Sequence, residues 1–174
     1  MQIKDKEFEL FLSEQEIQST IQRLAEQINQ EYRGKEVIFV GVMNGAFMFV
    51  ADLLRNIDFE CEVSFVKLAS YEGVQTSGTV HELIGLVNDL YGKHVIILED
   101  IVDTGLTLDK VFSMIDADAP SSLEFACLLY KPTAFKGKHA PKFVGIEIPD
   151  HFVVGYGLDY MEYGRNTKDI YKLK

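Results

Sequence analysis

The chain of 174 residues carries 17 basic and 27 acidic side chains, giving a formal net charge of −10 and a pI near 4.8. That balance argues against a nucleic acid or an anionic membrane surface as partner, while leaving room for an anionic small molecule held on backbone amides or a metal ion. With 47% hydrophobic and 25% charged residues, the composition is that of a globular protein able to bury a core within one domain, 1–174, without disulfides.

The first seven residues, Met1-Gln2-Ile3-Lys4-Asp5-Lys6-Glu7, lack the apolar centre of a signal peptide. No apolar run approaches the ~20 residues that cross a bilayer. The expected location is the cytoplasm. Cys61 and Cys127 stand far apart in hydrophobic stretches, with no CxxC or Cys/His spacing, so reduced, buried thiols are expected and structural zinc is not.

Ser13-Glu14-Gln15-Glu16 has the form of a capping box, and Ile17, Ile21, Leu24 and Ile28 recur behind it at helical spacing. This predicts an amphipathic helix ending near Gly34. Val37 to Val42 is a short apolar run, the mark of a strand covered on both faces, and Gly45 opens a second helix to about Arg55. Cys61 to Leu68 reads as another strand. From Ala69 to Val80 the composition turns to Ser, Tyr, Gly, Gln and Thr without apolar period, which predicts a long loop of the kind that often carries function. Val95 to Leu98 is a second buried strand, followed by a helix from Gly105 through Met114, and Leu123 to Tyr130 and Phe143 to Ile148 supply two more strands. Strands alternating with helices predict an α/β fold with a mainly parallel central sheet, whose ligands bind at the carboxyl ends of the strands.

The chemistry concentrates in thirteen residues, Val95-Ile96-Ile97-Leu98-Glu99-Asp100-Ile101-Val102-Asp103-Thr104-Gly105-Leu106-Thr107. Successive amides from Thr104 through Gly105 and Leu106 to Thr107, at the start of a helix, form a phosphate cradle, with Gly105 permitting close approach and two hydroxyls adding donors. Glu99 and Asp100 lie one step earlier, where a sugar would follow the phosphate, and carboxylates accept from vicinal hydroxyls directly or through magnesium. An isolated Asp-Thr-Gly would be only a helix cap. Adjacent acids closing a buried strand need a further reason.

This segment resembles the phosphoribosyl pyrophosphate motif of type I phosphoribosyltransferases. The rival phosphate sites fail: Gly34-Lys35, Gly92-Lys93 and Gly137-Lys138 lack the P-loop pattern, and Gly155-Tyr156-Gly157 lacks the rest of a dinucleotide fingerprint. The carboxyl-terminal third, from Lys131-Pro132 through Phe143 to Asp150, Phe152 to Tyr160, Glu162-Tyr163 and Arg165-Asn166, resembles the hypoxanthine-guanine branch of that family. With Ser70-Tyr71, the resemblance covers most of the chain beyond residue 37.

The resemblance implies a mainly parallel central sheet flanked by helices, with a small hood built from the terminal segments. It implies transfer of a 5-phosphoribosyl group from phosphoribosyl pyrophosphate to hypoxanthine or guanine, with xanthine left open and a pyrimidine disfavoured by Lys131 and the run from Phe152 to Asp159. Lys131 is expected at the six-position oxygen of the purine, the Val153 backbone at the base edge, and Phe152 stacked on the ring. Asp159 is expected beside the purine and, with Glu99 and Asp100, as a ligand of magnesium. Arg165, Asn44 and Gly45 are expected at the pyrophosphate. Ser70 and Tyr71 open a lid that excludes water. Asp103 is the expected general acid or base for the imidazole-ring nitrogen. The implied assembly is a homodimer or homotetramer.

One departure stands out. Many family members carry Lys in the turn after the first buried strand, where this chain has Met43-Asn44-Gly45-Ala46. That turn binds pyrophosphate largely through backbone amides, with an unusual peptide bond as part of its geometry, so losing the cation should alter pyrophosphate affinity or subunit contacts but not the reaction type. None of His81, His94, His139 and His151 shows triad or metal spacing, and all four are expected to be structural or at the surface. A ligand-sensing regulator that binds RNA or DNA is the alternative of a different class, disfavoured by the acidic charge balance.

Overall fold

The computed structural model describes residues 1–69, 81–84 and 89–174. The elements run β1 (Gln2–Ile3), β2 (Lys6–Leu12), α1 (Glu14–Tyr32), β3 (Val37–Val42), α2 (Phe47–Leu54), β4 (Glu62–Ala69), β5 (His81–Ile84), β6 (His94–Val102), α3 (Leu106–Asp116), β7 (Ser122–Tyr130), β8 (Phe143–Glu147), β9 (Val153–Val154) and β10 (Ile170–Leu173).

The larger sheet has the order β5-β4-β3-β6-β7-β8, with β4, β3, β6, β7 and β8 mutually parallel and β5 antiparallel at one edge. All six residues of β3 are buried, as the unbroken apolar run predicts for a strand covered on both faces. Alternation along β3 and β6 divides the core in two. Phe39, Ile96 and Leu98 join Ile17, Ile21, Leu24 and Ile28 of α1 and Phe49 and Leu53 of α2. Ile38, Val40, Val95 and Ile97 join Val111 and Ile115 of α3 on the other face.

Helix α1 begins with the capping box the sequence announces. Ser13 accepts from the amide of Glu16, and the Glu16 carboxylate accepts from the Ser13 hydroxyl at 2.6 Å and from the Ser13 amide at 2.8 Å, bonds that hold the Glu16 carboxyl below its usual pKa. Cys127 is a buried free thiol as expected, whereas the free thiol Cys61 is only partly buried, and desolvation pushes both above the usual thiol range.

A second sheet, β1-β2-β10-β9, joins the two ends of the chain. Leu173 pairs with Phe8 and Leu10 with Tyr171, while β9 pairs with β10 through Val154 and Tyr171. Its small core is Ile3, Phe8 and Val154, flanked by Tyr160 and Tyr171. The expected terminal hood is therefore present. Helix α2 begins at Phe47, two residues after Gly45, and α3 runs to Asp116, two beyond Met114.

Candidate active site

The order of the parallel strands reverses between β3 and β6. The chain crosses from β3 to β4 on one side, then places β6, β7 and β8 on the other. The loops leaving β3 and β6 therefore diverge at their carboxyl ends, opening a crevice at the topological switch point. The β3–α2 turn carries Asn44 and Gly45, and the β6–α3 turn carries Asp103, Thr104 and Gly105.

Gly105 adopts the left-handed conformation (φ 78°) and is the N-cap of α3, so Asp103 is not the helix cap that an isolated Asp-Thr-Gly would suggest. Glycine is required here for space as well. A Cβ would lie 2.4 Å from Cε2 of Phe135. The loop after β7 supports the turn, with the amide of Lys136 donating to the Thr104 carbonyl (3.0 Å) and that of Lys131 to the Val102 carbonyl (2.9 Å). Asp109 accepts from the Lys138 amide and lies 3.2 Å from Nδ1 of His139, tying the same loop to α3.

Glu99, Asp103, Thr104, Gly105 and Thr107 line one cavity of about 120 Å³. Leu106 is exposed on the first turn of α3. Oε2 of Glu99 is enclosed and has no hydrogen-bond partner. Burial, and then the neighbouring Asp100 carboxylate, raise the Glu99 carboxyl well above its usual pKa. An unsatisfied carboxylate oxygen on a residue that lines a cavity points to a hydroxyl or a cation as its partner.

Because its folded pKa is raised, Glu99 keeps a proton that the unfolded chain releases near 4.5, so its burial subtracts stability as pH rises above that value. Glu99→Gln is therefore expected to stabilise the protein, measured without ligand, by about 1–3 kcal/mol at mildly alkaline pH while lowering turnover. Paired melting curves at acid and alkaline pH check it, the gain appearing only on the alkaline side.

Asp100 is buried at the end of the same strand. Burial pushes its carboxyl up, opposed by the Ile101 amide that donates to Oδ1 at 2.8 Å and by the Arg165 charge. Oδ2 of Asp100 rests on Gly45, where a Cβ would lie only 1.9 Å away. The Met43–Asn44 peptide is cis, the unusual bond expected in this turn.

Arg165 reaches the same point from the carboxyl-terminal segment. Its Nη1 donates to the Gly157 carbonyl at 2.9 Å, and Gly157 itself packs on the Gly45 carbonyl. Its Nη2 pairs with Asp159 Oδ1 at 2.8 Å and with Glu162 at 3.0 Å. Asp159 also accepts from the Glu162 amide at 2.8 Å. Among the described residues, no three His, Cys, Asp or Glu side chains are gathered around one point as a metal site. The expected trio of Glu99, Asp100 and Asp159 is thus not one cluster, because Asp159 is turned to Arg165.

Lys131 is buried, with its ammonium 2.7 Å from Asp103 Oδ2 and 3.2 Å from Asp150 Oδ1. Asp150 stands two residues before Phe152, so this bridge ties the cradle to the segment that carries the aromatic ring. Phe152 is 47% exposed. It is supported by Tyr160, edge-on at 5.9 Å, and by Phe8 at 6.3 Å. Val153 follows in β9, its side chain buried. Ser70 and Tyr71 lie outside the described residues, as does most of the expected lid. His94 bonds Ser122, His139 stacks on Phe112 and His151 meets the edge of Phe11, all structural contacts.

Two participants were not assigned from sequence. Asp150 had a signal, its place beside Phe152, whereas Phe135 had none, since its contact with Gly105 spans thirty residues.

The chain matches the family described as "Phosphoribosyl transferase domain" over residues 10–161. It is 38% identical to the hypoxanthine-guanine phosphoribosyltransferase of Aquifex aeolicus, covering 99% of this chain and 98% of the relative. It is 39% identical to the hypoxanthine phosphoribosyltransferase of Haemophilus influenzae, covering 98% of each. A hypoxanthine-guanine phosphoribosyltransferase crystal structure from Bacillus anthracis superposes with a TM-score of 0.90 at 36% identity, over 97% of this chain and 98% of that one. With the switch-point crevice, the phosphate cradle and these near full-length matches together, the chain belongs to the phosphoribosyltransferase family, in its hypoxanthine-guanine branch.

Proposed function

We propose that this protein is a purine-salvage enzyme that transfers the 5-phosphoribosyl group of phosphoribosyl pyrophosphate to hypoxanthine and/or guanine, releasing pyrophosphate. The observation that carries the reading is the buried ammonium of Lys131 bridging Asp103 and Asp150 beside the cradle. A donor for an exocyclic oxygen and an acceptor for a ring proton are thereby fixed within one bond of each other, a pairing that suits a 6-oxopurine.

In this reading the amides and hydroxyls of residues 104–107 take the 5-phosphate, and Glu99 and Asp100 take the ribose hydroxyls. Phe152 covers the base and Lys131 donates to its oxygen. Asp103 receives the proton that the imidazole-ring nitrogen loses as that nitrogen attacks the anomeric carbon. Positive charge develops on the ribose in that step, and that charge, with magnesium when bound, favours the ionised forms of Glu99 and Asp100, which then supply matching negative charge. The Asn44-Gly45 turn and Arg165 hold the departing pyrophosphate.

Magnesium fits this donor set. Glu99 offers an unsatisfied oxygen, and an ion with few protein ligands completes its octahedron with substrate oxygens and water. Bound there, the ion would neutralise charge on the diphosphate. Turnover followed by ultraviolet absorbance with hypoxanthine, guanine and xanthine tests the reading, and no reaction with any of them would sink it. Chelation of divalent ions is expected to weaken phosphoribosyl pyrophosphate binding by about tenfold or more, measured by calorimetry, and equal affinity with and without chelator would remove the metal from the scheme.

A further inference from the structure

The site brings together three cations, and two are already engaged by carboxylates. Lys131 is held between Asp103 and Asp150, and Arg165 between Asp159 and Glu162. The third is Lys67, on β4. It is half-buried and lies two positions beyond Phe65, whose ring packs against Gly41 and Val50 on the α2 side of the sheet. Its side chain follows that row to the β3–α2 turn, where Nζ donates to Asn44 Oδ1 at 3.1 Å. The backbone bond from Met43 N to Val66 O, 2.8 Å, clamps the turn to β4 at the same place. Among the described residues Lys67 meets no carboxylate.

Among the described residues, this half-buried ammonium has a neutral amide as its partner and most of its charge uncompensated, in a crevice otherwise rich in acids. Because Oδ1 of Asn44 accepts from Lys67, the amide's two N–H groups are directed elsewhere, and among the described residues nothing takes them. The pair presents a polarised donor backed by a positive charge, one residue before Gly45.

We propose that Lys67, acting through Asn44, is the cation of the pyrophosphate turn, binding the diphosphate of phosphoribosyl pyrophosphate and of the released product. The assignment rests on the transferase reading above and adds to it a residue from a neighbouring strand. It also accounts for Asn at position 44, because the charge lost from the turn is supplied from β4. Lys67 is a positioning residue when it acts through the amide and a direct ligand when its ammonium reaches a phosphate oxygen.

The test is calorimetric binding of magnesium pyrophosphate and, separately, of the nucleoside monophosphate product, which has no diphosphate, to the intact protein. Lys67→Met is expected to weaken pyrophosphate binding by about ten- to hundredfold while leaving the monophosphate within about twofold, since a hydrogen bond to a charged group is lost at one subsite only. The KM for phosphoribosyl pyrophosphate should rise in parallel, with the KM for the purine little changed. Lys67→Arg and the exchanged pair Asn44→Lys with Lys67→Asn each keep one cation and should keep pyrophosphate affinity within a few-fold.

Wild-type pyrophosphate affinity in Lys67→Met, or equal loss for both ligands, overturns the assignment. Should Lys67→Met melt early, the charge-keeping variants decide, and loss of pyrophosphate binding in both overturns it. A wild-type protein that turns over no purine and binds no pyrophosphate overturns the transferase reading first. Normal wild-type turnover with an indifferent Lys67→Met overturns this assignment alone.

Discussion

Asp103→Asn is expected to lower turnover by at least about tenfold, towards the roughly 10²–10⁴ that a positioned acid–base group contributes, while leaving phosphoribosyl pyrophosphate affinity within a few-fold. The structure separates this effect from folding. The N-cap of α3 is Gly105, which makes no side-chain capping bond, so replacing Asp103 removes no helix cap. Asn is nearly isosteric, and its carbonyl oxygen still accepts from Lys131, now 2.7 Å from Asp103 Oδ2. Asp150 remains as the ammonium's second partner at 3.2 Å. Asp103 is 46% exposed, so solvent screens the lost charge, and the stability change should stay near 1 kcal/mol. The phosphate is held by backbone groups of residues 104–107, which the substitution does not touch. What Asn cannot do is take a proton. Turnover and ligand affinity measured on one preparation decide the matter, and turnover within a few-fold of wild type would remove Asp103 from the chemistry.

The parts of this site legible in the sequence are those contiguous in the chain. Residues 95–107 spell a buried strand, two acids and an anion cradle without a break, because the strand and the helix it feeds lie next to each other in sequence as well as in space. β3 and β6 were equally plain, since strands buried on both faces need no polar alternation. The terminal sheet gave no such signal. β2 reads Lys-Glu-Phe-Glu-Leu-Phe-Leu, of which only Phe8 is fully buried, and its partner β10 lies more than 150 residues away. It was expected only because the family resemblance implied it.

Pairings across space were likewise hidden. Lys131 with Asp150, Phe135 under Gly105 and Lys67 with Asn44 each join separate loops or strands, and no local spacing announces them. Asp159 is a further case: its residue type suggests a metal ligand, and the fold also sets Arg165 2.8 Å away, a pairing that its place in the sequence does not announce.

Gly45→Ala is expected to lower turnover by about 10²-fold or more, the scale expected when reacting groups are displaced by about 1 Å. The Gly45 backbone does not lie in the left-handed region, so alanine is conformationally acceptable there. Space is what forbids it. The added carbon would sit 1.9 Å from Oδ2 of Asp100 and 2.6 Å from its Cγ. Asp100 cannot easily withdraw, because it is buried and its other oxygen is held by the Ile101 amide at 2.8 Å. If the turn moves instead, it drives the Gly45 carbonyl into Gly157, where a Cβ would already stand only 2.1 Å from that oxygen. Gly157 in turn carries the carbonyl that receives Arg165 at 2.9 Å. One methyl therefore displaces the sugar-side carboxylate, the pyrophosphate turn or the arginine, and each displacement disorders the reaction geometry. The stability cost is that of local overpacking, about 1–3 kcal/mol, so the variant should still fold. Gly92→Asn is the control: Gly92 has φ 74° but open space around its Cα, asparagine tolerates that conformation, and turnover should be unaffected. Circular dichroism, melting temperature and turnover on the two variants distinguish a damaged site from a damaged fold. A folded Gly45→Ala protein with near-normal turnover would show that the contact between Gly45 and Asp100 does not set the geometry of catalysis.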